Sequence, residues 1–343
     1  MKLYILLLAL VFTLLLLIPL PALGLFAEDK PLPAPDSSLP SDNSSSNIPA
    51  GNPSVESTPP TDTTAVFRVL DSNTNQVVTL SERDFLIGTL AAEMYPSYHI
   101  EALKAQAVAA YTYYSYQRTA ARAEKDDPAV ADFSDVPSTF PEVYSKEGLQ
   151  KRWGANFDTY YQKICEAVDA VFGKRILYDG KPIMAAYHAL SFDTTEKASV
   201  VWGTDYPYLQ PVPCSGDKLS PSYESVVTFT AAEFAGKLSS DSRKLEGDPA
   251  GWIDDNIQRS EAGTVTSITI GGEAMTGREL RQLLELRSAC FTVSYASDTG
   301  FTFRVQGYGH GVGLSQYGAD YLARQGADWQ EILHYYYTNV TIS

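Results

Sequence analysis

The chain has 343 residues, with 26 Lys and Arg against 41 Asp and Glu, for a formal net charge of −15. No stretch concentrates Lys or Arg, which argues against a nucleic-acid partner, since that would demand a basic face. Three cysteines exclude a disulfide-built scaffold, and the 22 tyrosines suit a carbohydrate ligand as well as ordinary half-buried positions.

After Met1 and Lys2 the chain is almost wholly apolar from Leu3 to Phe26. As a helix this run would reach about 36 Å, enough for a bilayer core of about 30 Å. No clean Ala-x-Ala site follows, so residues 1–26 read as an uncleaved signal anchor with Lys2 in the cytoplasm. That places the remainder outside the cytoplasm on a single-pass anchor; secretion after signal cleavage is the alternative. Residues 27–64 are Pro, Ser, Thr, Asn and Asp with few large apolar side chains, the composition of a disordered tether. The folded part is expected over 65–343.

Val66–Leu70 and Val77–Leu80 flank a polar turn and predict a hairpin. Ser81 and Asp84 have capping-box spacing and open a helix that ends at Glu93, before Tyr95-Pro96. An Ala-rich helix follows from about Ile100 to Arg122, then an acidic segment, 124–141, read as a surface insertion. Leu149–Phe172 carries a third helical pattern, and Ile176–Tyr187 reads as a hairpin with Asp179-Gly180 at its tip. Tyr223–Phe229, Thr264–Ile270, Phe291–Tyr295 and Phe301–Gln306 read as strands. Thr230 with Glu233, and Thr276 with Glu279, mark capping boxes of two short helices, and two more helices close the chain at about 316–325 and 328–336. Without a regular βαβ alternation the fold class is α+β, one globular domain of mixed helices and antiparallel hairpins.

The densest chemistry lies in 307–319, where Gly307, Gly309, Gly311 and Gly313 alternate with Tyr308, His310 and Val312 before Ser315, Gln316 and Tyr317. So much glycine fits a backbone that bends sharply or approaches another segment closely. Ser315 lacks the spacing of a G-x-S-x-G nucleophile elbow and reads as a helix N-cap. No H-E-x-x-H pattern indicates a catalytic metal, although His188, His310 and a cysteine leave a metal site open. Glu93 stands among small and apolar residues in the last turn of its helix. The helix dipole and desolvation both raise a carboxyl pKa there, as a proton donor to a glycosidic oxygen requires. An exposed helix-end glutamate is the plainer alternative.

Ala92-Glu-Met-Tyr-Pro96, the run from Glu101 to Ala110, and Gly309 to Ala319 together resemble the stage II sporulation protein D family. Tyr187-His188 with Ser191, Val201-Trp-Gly203, Leu284–Ser288 and Ile332–Tyr336 support the likeness, which covers roughly 65–343. The resemblance implies a membrane-anchored lytic transglycosylase that cuts peptidoglycan glycan strands during engulfment. It also implies two partners, a cell-wall amidase and a membrane protein that recruits both enzymes. It maps the catalytic acid and base onto Glu93 and a supporting position onto Lys104. Substrate contacts are expected from Lys104, Gln106, Tyr187, His188, Ser191, His310, Ser315, Gln316 and Tyr317. No cofactor is required, though some family members hold zinc near the cleft. Two departures stand out: Tyr111 where the family usually has Arg, and Ser191-Phe192-Asp193 where it usually has Ser-Gly-Gly. Losing the Arg removes a charge that could bind substrate or tune Glu93, and Asp193 could add a negative charge nearby. The alternative reading is a non-catalytic amidase activator or glycan-binding module.

Overall fold

A computed structural model describes residues 66–71, 74–125, 127, 129–134, 145–238 and 245–343. The expected anchor and tether, and half of the acidic segment, lie outside the described residues. Among the described residues no helix is long and apolar enough to cross a membrane.

Alternating apolar residues build the first hairpin, β1 (Val66–Asp71) with β2 (Gln76–Ser81), in antiparallel register Val69 to Val78. Ser81 then caps α1 (Glu82–Glu93) by accepting from the Asp84 N–H. Pro96 excludes helical backbone at Tyr95, so α1 stops at Glu93, and the Met94 N–H closes it on Leu90 O at 3.0 Å. The next helix, α2 (Ile100–Glu124), carries an unbroken buried face through Ala102, Ala105, Ala109 and Ala110. Small side chains there allow close packing of α1 and of three later helices, Phe157–Val171, Gln316–Arg324 and Trp329–Tyr336, around it.

The acidic segment is not purely a surface insertion. Asp132 and Phe133 are buried, Asp132 pairs with Arg68 and Arg122, and β3 (Phe133–Ser134) runs parallel to β1. The third helical pattern is broken at Gly154, whose φ of 51° ends α3 (Lys146–Trp153); after a short 3-10 turn, α4 (Phe157–Val171) resumes. The Asp179-Gly180 tip forms with positive φ at both residues, joining β4 (Ile176–Tyr178) to β5 (Lys181–Pro182). Contrary to the expected long hairpin, Tyr187 has left that ladder. It begins β6 (Tyr187–His188), which precedes the short helix α5 (Ala198–Trp202).

The chain then builds a second hydrophobic core. Here β7 (Glu224–Phe229) and α6 (Ala231–Leu238) precede a three-stranded sheet of β8 (Gln258–Arg259), β9 (Val265–Ile270) and β10 (Glu273–Met275). After α7 (Gly277–Leu284), β11 (Phe291–Ala296) and β12 (Gly300–Gln306) pair antiparallel and β12 pairs with β7. Phe234, Ile268, Leu280, Phe301 and Phe303 fill this core, apart from the larger one around α2. Both expected capping boxes form, at Thr230 and Thr276.

The glycine segment is the return path to the first core. It ends in β13 (Leu314–Ser315), which pairs parallel with β6, and continues into α8 (Gln316–Arg324), α9 (Trp329–Tyr336) and β14 (Thr341–Ile342). The fold is α+β with mainly antiparallel sheets, as expected. All three cysteines are free, with Cys214 and Cys290 buried.

Candidate active site

The glycines act by closeness. Gly313 has φ 73°, and a Cβ there would lie 2.1 Å from the Ala186 carbonyl oxygen. Only glycine lets the returning strand reach β6, aligning Leu314 with Tyr187 and Ser315 with His188. Phe192, one of the two family departures, is buried under this segment, where a Cβ at Gly311 would meet its ring at 2.8 Å.

The register brings a buried polar cluster together at the start of α8. Ser315 caps the helix by accepting from the Gly318 N–H at 3.2 Å and donates its own hydroxyl to Asp217 Oδ1 at 2.5 Å. The Ser191 N–H donates to the same oxygen at 3.0 Å. Burial pushes the Asp217 carboxyl up to about 6 despite these donors. Ser315 is thus a cap, as its sequence context suggested, and is not poised as a nucleophile.

With Ser315 fixed, the next residue is aimed. The Gln316 Nε2 amide donates to Glu93 Oε2 at 3.3 Å, joining the glycine segment to the end of α1. Glu93 is partly exposed as a residue, yet its carboxyl is enclosed enough that burial pushes its pKa from 4.5 to about 7. The Gln316 amide and the Arg152 charge oppose that rise without cancelling it. Tyr113 feels the Glu93 charge and packs edge-on against Tyr187, with ring centroids 6.3 Å apart. The result is a carboxyl near half-protonation at neutral pH, beside an amide donor and an aromatic wall.

The other expected site residues divide by depth. Gln106, Tyr187, His188, Ser191, Ser315 and Gln316 are buried, whereas Lys104, His310 and Tyr317 are partly exposed. Lys104 is held by Glu101 Oε1 at 2.7 Å. Gln106 lies on the face of α2 that carries Ala110 and Tyr113, and neither of its amide atoms has a hydrogen-bond partner among the described residues. His188 Nδ1 donates to Val312 O at 3.1 Å, and burial lowers its pKa to about 4, so the ring is neutral. His310 Nδ1 accepts from the Val312 N–H at 3.0 Å, and its ring lies 5.6 Å from His188 and 5.0 Å from Trp202. Among the described residues no group of three or more His, Cys, Asp and Glu could hold a metal ion.

The first family departure, Tyr111, lies away from Glu93. The Tyr111 hydroxyl donates to the buried Glu82, accepts from Arg175 Nη2 at 2.8 Å, and shares Glu82 with Arg118. Glu82 opens α1 and Glu93 ends it, a separation of roughly 16 Å along the axis. Tyr111 therefore belongs to a buried network at the far end of that helix. Asp193 is paired with Lys218 at 2.7 Å and accepts from Tyr223 at 3.1 Å on the surface. Sequence reasoning missed Asp217, Tyr113 and Arg152, none of which sits in a motif.

A family model described as SpoIID, Stage II sporulation protein, matches residues 71–178. Stage II sporulation protein D of Bacillus subtilis is 37% identical over 263 residues, covering 76% of this chain and 74% of the relative. That of Bacillus amyloliquefaciens is 36% identical over 276 residues, covering 80% and 78%. The amidase enhancer of Bacillus subtilis is 27% identical over 310 residues, covering 75% of this chain but 40% of the relative. On identity and coverage the chain belongs to the stage II sporulation protein D family.

Proposed function

We propose that the protein is a lytic transglycosylase that cleaves the bond between N-acetylmuramic acid and N-acetylglucosamine in peptide-stripped glycan strands during engulfment. The observation that carries this reading is Glu93, whose carboxyl is raised by burial to about 7 and held by the Gln316 amide. Protonated Glu93 donates its proton to the glycosidic oxygen as the C1–O bond breaks. The resulting carboxylate then takes the proton of the muramoyl 6-hydroxyl while O6 bonds to C1. A 1,6-anhydro ring closes without water and Glu93 returns to its starting form, so one carboxyl serves both steps, unlike the pair used in hydrolysis. In this reading residues 1–26 anchor the chain in the cell membrane and 27–64 tether it. An amidase supplies stripped strands, and a membrane protein recruits both.

The test is to incubate the purified protein with peptide-free glycan strands and identify products by mass spectrometry. Anhydro-ended fragments, lost in Glu93→Gln, support the enzyme. A second reading, a non-catalytic amidase enhancer, is favoured by the relative of that name. Strands that bind but stay intact, together with faster stripping by an added amidase, would select it.

A further inference from the structure

Pro96 stops α1 at Glu93, and the stop leaves a place for a cation. In a longer helix the Tyr95 N–H would take the Ala91 carbonyl. Here Arg152 Nη1 donates to Ala91 O at 3.3 Å. Arg152 lies in the last turn of α3, so its charge meets the negative end of the α1 dipole, in the turn that carries Glu93. The residue is exposed all the same, and its charge lowers the Glu93 pKa against the rise that burial causes.

The helix that supplies Arg152 is basic in an acidic protein. It carries Lys146, Lys151 and Arg152, all exposed, against Glu147, in a chain of net charge −15. A polyanion nearing such a chain is repelled unless positive surface meets it locally. A peptide-stripped glycan strand is such a polyanion. Each N-acetylmuramic acid bears a lactyl group on C3, whose carboxylate is free once the stem peptide has gone and is a neutral amide while the peptide remains. The ring whose C1 reacts at Glu93 carries its own lactyl group, so that carboxylate arrives within a sugar ring's width of the site.

We propose that Arg152, backed by the other cations of α3, binds the free lactyl carboxylate of the reacting N-acetylmuramic acid and so selects peptide-stripped strands over peptide-bearing ones. The guanidinium suits this task because its bond to Ala91 O already orders it, so less freedom is lost when a carboxylate binds. The assignment rests on the proposed glycan substrate.

The experiment measures binding of two strands to the full chain by calorimetry. One is peptide-free; the other is the same strand with its lactyl carboxylates coupled to methylamine, the neutral amide a stem peptide would make. The parent is expected to bind the free strand about 5- to 10-fold more tightly, between the worth of an exposed ion pair and that of a hydrogen bond to a charged group. Added salt should shrink the difference. In Arg152→Gln the preference should disappear through weaker binding of the free strand, while affinity for the capped strand does not follow. Arg152→Lys, which keeps the charge, should retain part of it. Equal binding of the two strands by the parent, a preference that survives in Arg152→Gln, or a loss that is the same for both strands would overturn the proposal. Anhydro ends are assayed in the same samples. A binding preference without anhydro ends means that the catalytic reading fails and Arg152 keeps its role. Anhydro ends without a preference mean the reverse.

Discussion

The Gln316 side-chain amide reaches Glu93 Oε2 at 3.3 Å across 223 positions of sequence. This contact gives the glycine segment its part in the chemistry. The glycines bring β13 against β6, Asp217 fixes the Ser315 cap, and the cap orients Gln316. The amide stabilises the charged form of Glu93 and so holds its pKa below the value burial alone would set. Replacing the donor, as in Gln316→Leu, is therefore expected to move the Glu93 titration above about 7 and carry the alkaline limb of strand cleavage with it. Carboxyl NMR titration and a pH–rate profile check this together. A fall in rate with the titration unmoved would mean that Gln316 is only a packing residue.

Glu93→Gln is expected to separate activity from stability. Cleavage should fall by about 10²- to 10⁴-fold, the range of a lost general acid and base. Stability should move the other way at alkaline pH. The folded-state pKa is raised from 4.5 to about 7, so the native state binds more protons than the unfolded state between those values. Stability therefore declines as pH rises through that window, and above about 7 the penalty is at most about 3 kcal/mol. The neutral amide removes it. Urea unfolding at pH 5 and pH 8.5 should show Glu93→Gln gaining stability over the parent only at pH 8.5.

How far the sequence reveals this site depends on whether its signals are local. The helix ending at Glu93 is legible because the Ser81 cap and Pro96 act within a few residues of the ends they define. The Asp179-Gly180 turn and the Thr276 capping box are legible for the same reason. Tyr187 in a parallel pair with Leu314 is not, because its partner lies in a segment whose reach depends on a close approach to Ala186. Asp217 escapes notice because its partners, Ser191 and Ser315, come from two other segments. Tyr111 misleads for a related reason: a family departure marks a changed position, while only packing shows that it faces Glu82 and not Glu93.

Tyr111→Phe tests that placement. The substitution removes a hydroxyl that donates to Glu82 and accepts from Arg175, leaving Glu82 with Arg118. A buried carboxylate that loses a donor is expected to cost about 1–3 kcal/mol, visible as a lower thermal midpoint. The pH profile of strand cleavage should stay where it is, since the network lies at the other end of α1. A shifted profile at unchanged stability would place Tyr111 in the site after all.

Asp217 should behave as a positioning residue whose loss is felt at Gln316. Asp217→Ala leaves the Ser315 hydroxyl and the Ser191 N–H without their acceptor in a buried place, an expected cost of about 2–4 kcal/mol. Asp217→Asn keeps one acceptor oxygen and should cost less. It should also flatten one part of the pH dependence. The Asp217 carboxyl is raised from 3.8 to about 6, so its contribution to stability falls as pH rises through that interval, and an amide has no such dependence. For strand cleavage, both variants should lower kcat more than they raise KM, because Ser191 and Ser315 are fully buried and the effect passes to the amide that holds Glu93. If KM rises with kcat unchanged, Asp217 acts on substrate binding and the route from Ser315 through Gln316 to Glu93 is wrong.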